Sequence, residues 1–220
     1  RAASMGLDRG SLTVLASRVR YEEKLIMAAL ERRGVDCEHV DARTLFVGAR
    51  ADRSRPRLVL NRELGHFRAL YAAEALEAAG ASVVNSADAT RVSGDKWHTT
   101  KALLARGLPT PATALAMTTT AALDALEEVG YPAVIKPLVG SWGRMVTRVA
   151  DPDVAAAVLE HIDALPSPQS HVIYVQELVP KADRDIRVLV VGGRVIGATY
   201  RQGEEWRTNV ARGGVSKRCA

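Results

Sequence analysis

The sequence has 220 residues, 47% of them hydrophobic, which is enough apolar material for a sizeable core in one or two domains. No apolar run reaches bilayer-spanning length and no basic–apolar–small signal leads the chain, so a cytoplasmic protein without membrane association is expected. The net charge of +5 admits nucleic acid, ATP or an acidic protein as partner, but aromatics make up only 5% of residues and none interleaves the basic clusters, which argues against a nucleic-acid stacking surface. Cys37 and Cys219 lie far apart without metal-ligand spacing and are expected as reduced thiols. Arg1 to Ser4 precede Met5, the natural-looking start, and read as a remnant ahead of the fold.

Leu12 to Ala16 reads as a short apolar strand, and Tyr21 to Arg33 as a helix closed by Gly34, with Tyr21, Leu25 and Ala29 on one stripe and Ile26 and Leu30 beside it. Val35 to Val40 and Leu58 to Leu60 are further strands, separated by an arginine-rich loop from Arg50 to Pro56. Arg68 to Ala79 reads as a second amphipathic helix ended by Gly80, and Ser82 to Asn85 as a returning strand. Strands alternating with helices predict a parallel sheet with helical crossovers. Residues 5–91 are therefore expected to form a small open α/β domain, without the glycine fingerprint of a dinucleotide site after its first strand.

The pattern then changes. Asp95 to Arg106 reads as a helix with Asp95 as N-cap, ended by Gly107-Leu108-Pro109. Ala112 to Ala116 is a strand, and Thr118 caps a helix running to Val129. The stretch PAVIKPLVGSWGR, Pro132 to Arg144, reads as a strand ending in Lys136, a loop carrying Gly140, Ser141 and Gly143, and a second strand from Met145 to Val149. Asp151 starts a helix with Pro152 at its first position, Leu165 to Ser170 is a turn-rich linker, and Val172 to Leu178 is a buried strand. Ile186 to Val191 and Arg194 to Tyr200 flank Gly192-Gly193, a two-residue hairpin signal. Residues 92–220 are thus expected as an α+β domain with antiparallel strands, its smaller lobe at about 110–175.

A lysine at a strand end, followed by glycines whose backbone N–H groups can close on an anion, suits phosphate. The spacing is not that of a P-loop and no helix follows, so on its own this stretch reads first as a solvated turn. Its meaning changes beside Lys96 in the first turn of a helix, Glu177 in QELV, and Asp185-Ile186-Arg187 opening a hairpin. In that order these features resemble the ATP-grasp fold. NRELGHFRAL, GDKWHTTKALLARGLPTPATALA, KPLVGSWGR, YVQELV, DIRVLVVGGRVIGATYR and WRTNVARGG narrow the likeness to the RimK-type ATP-grasp family, and within it to the LysX-type ligases.

The resemblance implies a Rossmann-like pre-ATP-grasp domain followed by an ATP-grasp domain, and a ligase that forms an amide through an acyl phosphate. Its partners would be ATP, Mg²⁺, an amino acid, and a small acidic LysW-like carrier protein ending in glutamate; homo-oligomers are common among such enzymes. Lys96 and Lys136 would contact phosphate or the purine edge, with Ser141, Trp142 and Gly143 in the covering loop. Gln176, Glu177 and Val179 would meet adenine, largely through backbone groups, and Asp185 the ribose. Arg187 and Arg201 would neutralise the transferring phosphate. Arg212 would clamp a carboxylate or oxyanion, with Asn209 near the amine, Gly213-Gly214 forming an anion nest, and His66, with Arg68, at the substrate. The family's metal ligands, an acidic residue and a Glu-x-Asn pair, have no counterpart before Ala220, so they are expected beyond it and the chain is expected to be truncated. Three alternatives stay open: a RimK-type glutamate ligase acting on another carboxylate, a non-catalytic nucleotide-binding protein, and, on charge alone, a nucleic-acid module.

Overall fold

The computed structural model describes residues 12–48, 57–182, 184–203 and 206–219. It divides into two compact units, Arg1–Gly94 and Asp95–Ala220. In the first, β1 (Leu12–Leu15), β2 (Cys37–Val40), β3 (Leu58–Asn61) and β4 (Ser82–Val84) form a parallel sheet in the order β2-β1-β3-β4. The helices are α1 (Tyr21–Glu31), α2 (His66–Ala78) and α3 (Ala87–Gly94). Helix α2 buries Ala69, Ala72, Ala73 and Leu76, a stripe of mostly small residues at helical spacing that lets the helix lie close to the sheet.

Three local expectations change here. Helix α2 begins at His66, two residues early, after Gly65 in an extended conformation. Helix α3 has no counterpart in the sequence reading, because its one buried residue, Ala87, gives no apolar period. On α1, Tyr21 and Leu25 are exposed, whereas the inward side carries Glu23, Ile26 and Leu30. Glu23 is fully buried, and two arginines make that tolerable. Arg20 donates from Nε at 2.9 Å and from Nη2 at 2.7 Å, and Arg62 donates from Nε at 3.0 Å. Hydrogen bonds from Arg20 outweigh the cost of burial, and with Arg62 they hold the Glu23 carboxyl down at about 2.

The second unit contains two antiparallel sheets. β5 (Thr113–Ala116), β6 (Ala133–Lys136), β7 (Thr147–Val149) and β8 (Ile173–Glu177) are ordered β5-β8-β6-β7. Helices α5 (Thr119–Val129) and α6 (Pro152–Asp163) cover one face of this sheet, where Leu126, Ala155 and Leu159 pack with Ile135, Val149, Ile173 and Val175. The expected caps are in place: Thr118 Oγ1 accepts from Ala121 N–H at 3.1 Å and Asp151 from Val154 N–H at 2.9 Å. Strand β7 starts at Thr147 rather than Met145, because Trp142, Gly143 and Met145 all have positive φ and keep the chain coiled. The other sheet joins β9 (Arg184–Val191), β10 (Arg194–Gln202) and β11 (Val215–Arg218). Gly192 and Gly193 both adopt positive φ, as their tight hairpin turn demands. Strand β11 lies in the tail, where no strand was expected.

Candidate functional site

The face of the first antiparallel sheet that α5 and α6 leave uncovered carries the chemistry. Period-two alternation turns Ile135, Ile173 and Val175 into the core and places Val134, Lys136, Tyr174 and Gln176 on the other side. Helix α4 (Lys96–Leu104) stands beside it, capped by Asp95, whose side chain accepts from His98 N–H at 3.0 Å. The start of α4 is fixed to the loop after β6 by Lys96 N–H donating to Leu138 O at 3.0 Å. Both lysines are thereby delivered to one open cleft of about 380 Å³, a volume in the range of small-molecule sites.

Lys96 Nζ donates to the carbonyls of Pro137 (2.6 Å), Leu138 (3.3 Å) and Gly140 (3.2 Å). Lys136 Nζ donates to Gln176 Oε1 at 2.5 Å. Among the described residues neither ammonium is in an ion pair. Burial lowers the pKa of both, and the charge of Lys96 lowers Lys136 further, while Asp95 partly offsets the effect on Lys96. Two half-buried cations that repel each other suit an anionic ligand of more than one charge, such as a polyphosphate.

Ser141, Trp142 and Gly143 form part of the cleft wall, and the Arg144 guanidinium lies 5.0 Å from the Trp142 ring centre. Glu177 and Val179 line it as well, but Glu177 N–H already donates to Ala112 O and Leu178 N–H to Pro132 O. Gln176 differs most from expectation: its side chain, rather than its backbone, reaches the chemistry. Asp185 also lines the cleft, with its carboxylate forked by Arg201 at 2.7 and 2.8 Å and accepting from Thr208 Oγ1 at 2.5 Å. Burial works against that anion, and the Arg201 and Thr208 hydrogen bonds more than compensate, so its pKa is lowered. Asp185 and Arg201, expected on ribose and phosphate respectively, are paired with each other.

Asn209 lines the cleft, whereas Arg187 is exposed and lies outside its wall, on the same sheet face as Asp185. Arg212 closes a single 3-10 turn, Val210–Arg212, and its side chain lies outside the described residues. An anion nest at Gly213-Gly214 does not form, because these N–H groups donate to Val210 O (3.0 Å) and Asn209 O (3.2 Å). Gly214 is required by close approach: a Cβ there would fall 2.5 Å from the Thr208 carbonyl oxygen. His66 belongs to the first unit, where its ring lies against Gly94, and Arg68 pairs with Glu63 at 3.0 Å. The sequence reading missed Thr100, Thr113, Tyr174, Lys181 and Thr208. Tyr174 and Gln176 were legible in principle, as polar groups at same-face spacing inside a buried strand. Among the described residues no three His, Cys, Asp or Glu side chains cluster as a metal site, so these residues do not fit the family's magnesium and no step is assigned to it.

The model of the RimK-like ATP-grasp domain matches residues 93–220, and that of the LysX preATP-grasp domain matches residues 12–92. The glutamate–LysW ligase ArgX of Sulfolobus acidocaldarius is 36% identical over 198 residues, 89% of this chain and 70% of that protein. The alpha-aminoadipate–LysW ligase LysX of the same organism is 32% identical over 200 residues, 89% of this chain and 72% of that one. Among solved structures, a RimK domain ATP-grasp protein from Sphaerobacter thermophilus superposes with a TM-score of 0.75 at 28% identity, covering 87% of this chain and 73% of its own. With both family models matched end to end across the two units, the chain belongs to the RimK-like ATP-grasp family.

Proposed function

We propose that this chain, an ATP-dependent ligase that forms an amide bond, joins the amino group of an acidic amino acid to the C-terminal glutamate of a small acidic LysW-like carrier protein. The observation that carries the ATP site is the convergence of Lys96 and Lys136, neither in an ion pair among the described residues, beside a glycine-containing loop in one cleft. Relatives named as LysW ligases for glutamate and for aminoadipate, at 32–36% identity across 89% of the chain, support the carrier and the class of amino acid. Charge agrees, since residues 181–220 hold nine Lys or Arg against four Asp or Glu, a field that attracts an acidic partner.

In the proposed reaction a carrier carboxylate oxygen attacks the γ-phosphorus of ATP, and ADP leaves with the broken P–O bond. The deprotonated amine then attacks the acyl carbon, phosphate departs with the C–O bond, and the nitrogen sheds its extra proton. Lys96 and Lys136 spread positive charge along the phosphates, and Ser141 to Gly143 cover them. Glu177 and Val179 form the edge for the base, while Arg201, steadied by Asp185, and Arg187 add charge on the adjoining sheet face. Asn209, which lines the cleft, and Arg212 in the turn after it are assigned to the second substrate.

The test combines protein, ATP and glutamate or aminoadipate with an acidic carrier ending in glutamate, reading ADP release and the mass of the carrier. The carrier should gain one amino-acid residue for each ADP formed, at a rate that falls steeply as salt screens the encounter. Efficient ligation to free glutamate, with no gain on adding carrier, would overturn this reading.

A further inference from the structure

Lys136 reaches the cleft on a flexible four-carbon stem, and a bare ammonium on such a stem would turn toward water. A buried network prevents this. Lys136 Nζ donates to Gln176 Oε1 at 2.5 Å, while Gln176 Nε2 donates to Thr113 Oγ1 and to the Tyr174 hydroxyl, each at 2.9 Å. The Tyr174 hydroxyl is 2.8 Å from Thr100 Oγ1. Gln176, Tyr174 and Thr100 are 8%, 3% and 3% exposed, so the bonds that join these three to one another are shielded from bulk water.

Donor accounting fixes the amide. An ammonium only donates, so the oxygen of Gln176 must face Lys136. Thr113 gives its own proton to Pro111 O at 2.8 Å, so it accepts from Gln176. Both ends demand the same orientation. Thr100 lies one turn along α4 from Lys96, and so one tyrosine hydroxyl ties the helix bearing Lys96 to β8, whose Gln176 accepts from Lys136. The chemistry of the acceptor also matters. A glutamate at this position would orient the lysine but neutralise it, whereas an amide orients it and leaves the charge for a ligand.

We propose that Gln176, indexed by Thr113, Tyr174 and Thr100, is a positioning residue that aims Lys136 at the nucleotide's phosphates while leaving its charge intact. This rests on the cleft being the ATP site. The test compares ATP and adenosine affinity by calorimetry in wild type, Lys136→Ala, Gln176→Met, Gln176→Glu and Tyr174→Phe, with the pH profile of Lys136 acylation as a second readout. Gln176→Met should weaken ATP about tenfold and leave adenosine nearly unchanged. Gln176→Glu should weaken ATP at least as much and move the acylation profile of Lys136 to higher pH, a shift that a packing role would not produce. Tyr174→Phe, which removes one oxygen and keeps the ring, should show a smaller loss of the same sign and carries the test if Gln176 variants fail to fold. A wild type that binds ATP no better than adenosine, or whose preference survives Lys136→Ala, would overturn the ATP site itself. A preference that needs Lys136 but is untouched by the Gln176 and Tyr174 substitutions, with an unmoved acylation profile, would overturn only the positioning role.

Discussion

Replacing Glu23 by glutamine isolates the charge in the first unit's buried cluster. The carboxyl is held at about 2 against an ordinary 4.5 by hydrogen bonds from Arg20, opposed by burial and reinforced by Arg62. At ~1.4 kcal/mol per pH unit, that difference corresponds to about 3 kcal/mol of stability. Because the folded value is depressed, the contribution is complete above about pH 5 and is lost as pH falls through 4.5 toward 2. Glu23→Gln keeps the shape but leaves Arg20 and Arg62 facing a neutral amide in a buried site. Urea unfolding followed by far-UV circular dichroism should show the variant about 3 kcal/mol less stable at pH 7. The gap should narrow to about 1 kcal/mol at about pH 2.5, where wild type has lost most of the same contribution. An equal gap at both pH values would mean that packing, and not charge, is what Glu23 contributes.

Lys136→Ala should weaken ATP binding by about 1.5–3 kcal/mol, the range for a charged hydrogen bond, and adenosine much less; equal losses in calorimetry would make the lysine structural. Gly214→Ala should cost about 1–3 kcal/mol of stability, read as a lowered urea midpoint, and also weaken ATP, since the added carbon must push the Thr208 backbone that lines the cleft. An unchanged midpoint would show that the tail yields freely.

What the sequence revealed depended on the range of the interactions involved. Asp95, Thr118 and Asp151 cap their helices through bonds spanning three residues, and such signals are present in any short window. The inward side of α1 was not legible from apolar periodicity, because it carries the charged Glu23, whose burial rests on Arg20 three residues before it and on Arg62, which lies 39 positions away. The late start of β7 likewise depends on left-handed Trp142 and Met145, residues whose local preference is for neither that conformation nor that delay. Within the site, Lys96, Lys136 and the Ser141–Gly143 loop are singled out by their order together with the resemblance to ATP-grasp proteins, and all of them line one cleft. The work of Gln176 could not, since its partners Lys136 and Thr113 come from two other strands.

The Asp185–Arg201 pair shows how one residue of register redirects chemistry. Counting back from the Gly192-Gly193 turn, where Val191 meets Arg194 and Val190 meets Val195, uninterrupted pairing would put Tyr200 opposite Asp185. The register instead slips between Val195 and Gly197, and Ile196 is the extra residue. A one-residue slip turns every following side chain to the other face of the sheet. Arg201 therefore arrives opposite Asp185 and forks its carboxylate, with Thr208 from the tail as a third donor, while Tyr200 stacks under Arg184 with 4.8 Å between guanidinium carbon and ring centre. Without the bulge the acid would face an aromatic ring and the arginine would turn to the other sheet face. The pairing of Asp185 with Arg201 thus depends on the extra residue Ile196, which has no polar atom in its side chain and 64% of its surface exposed.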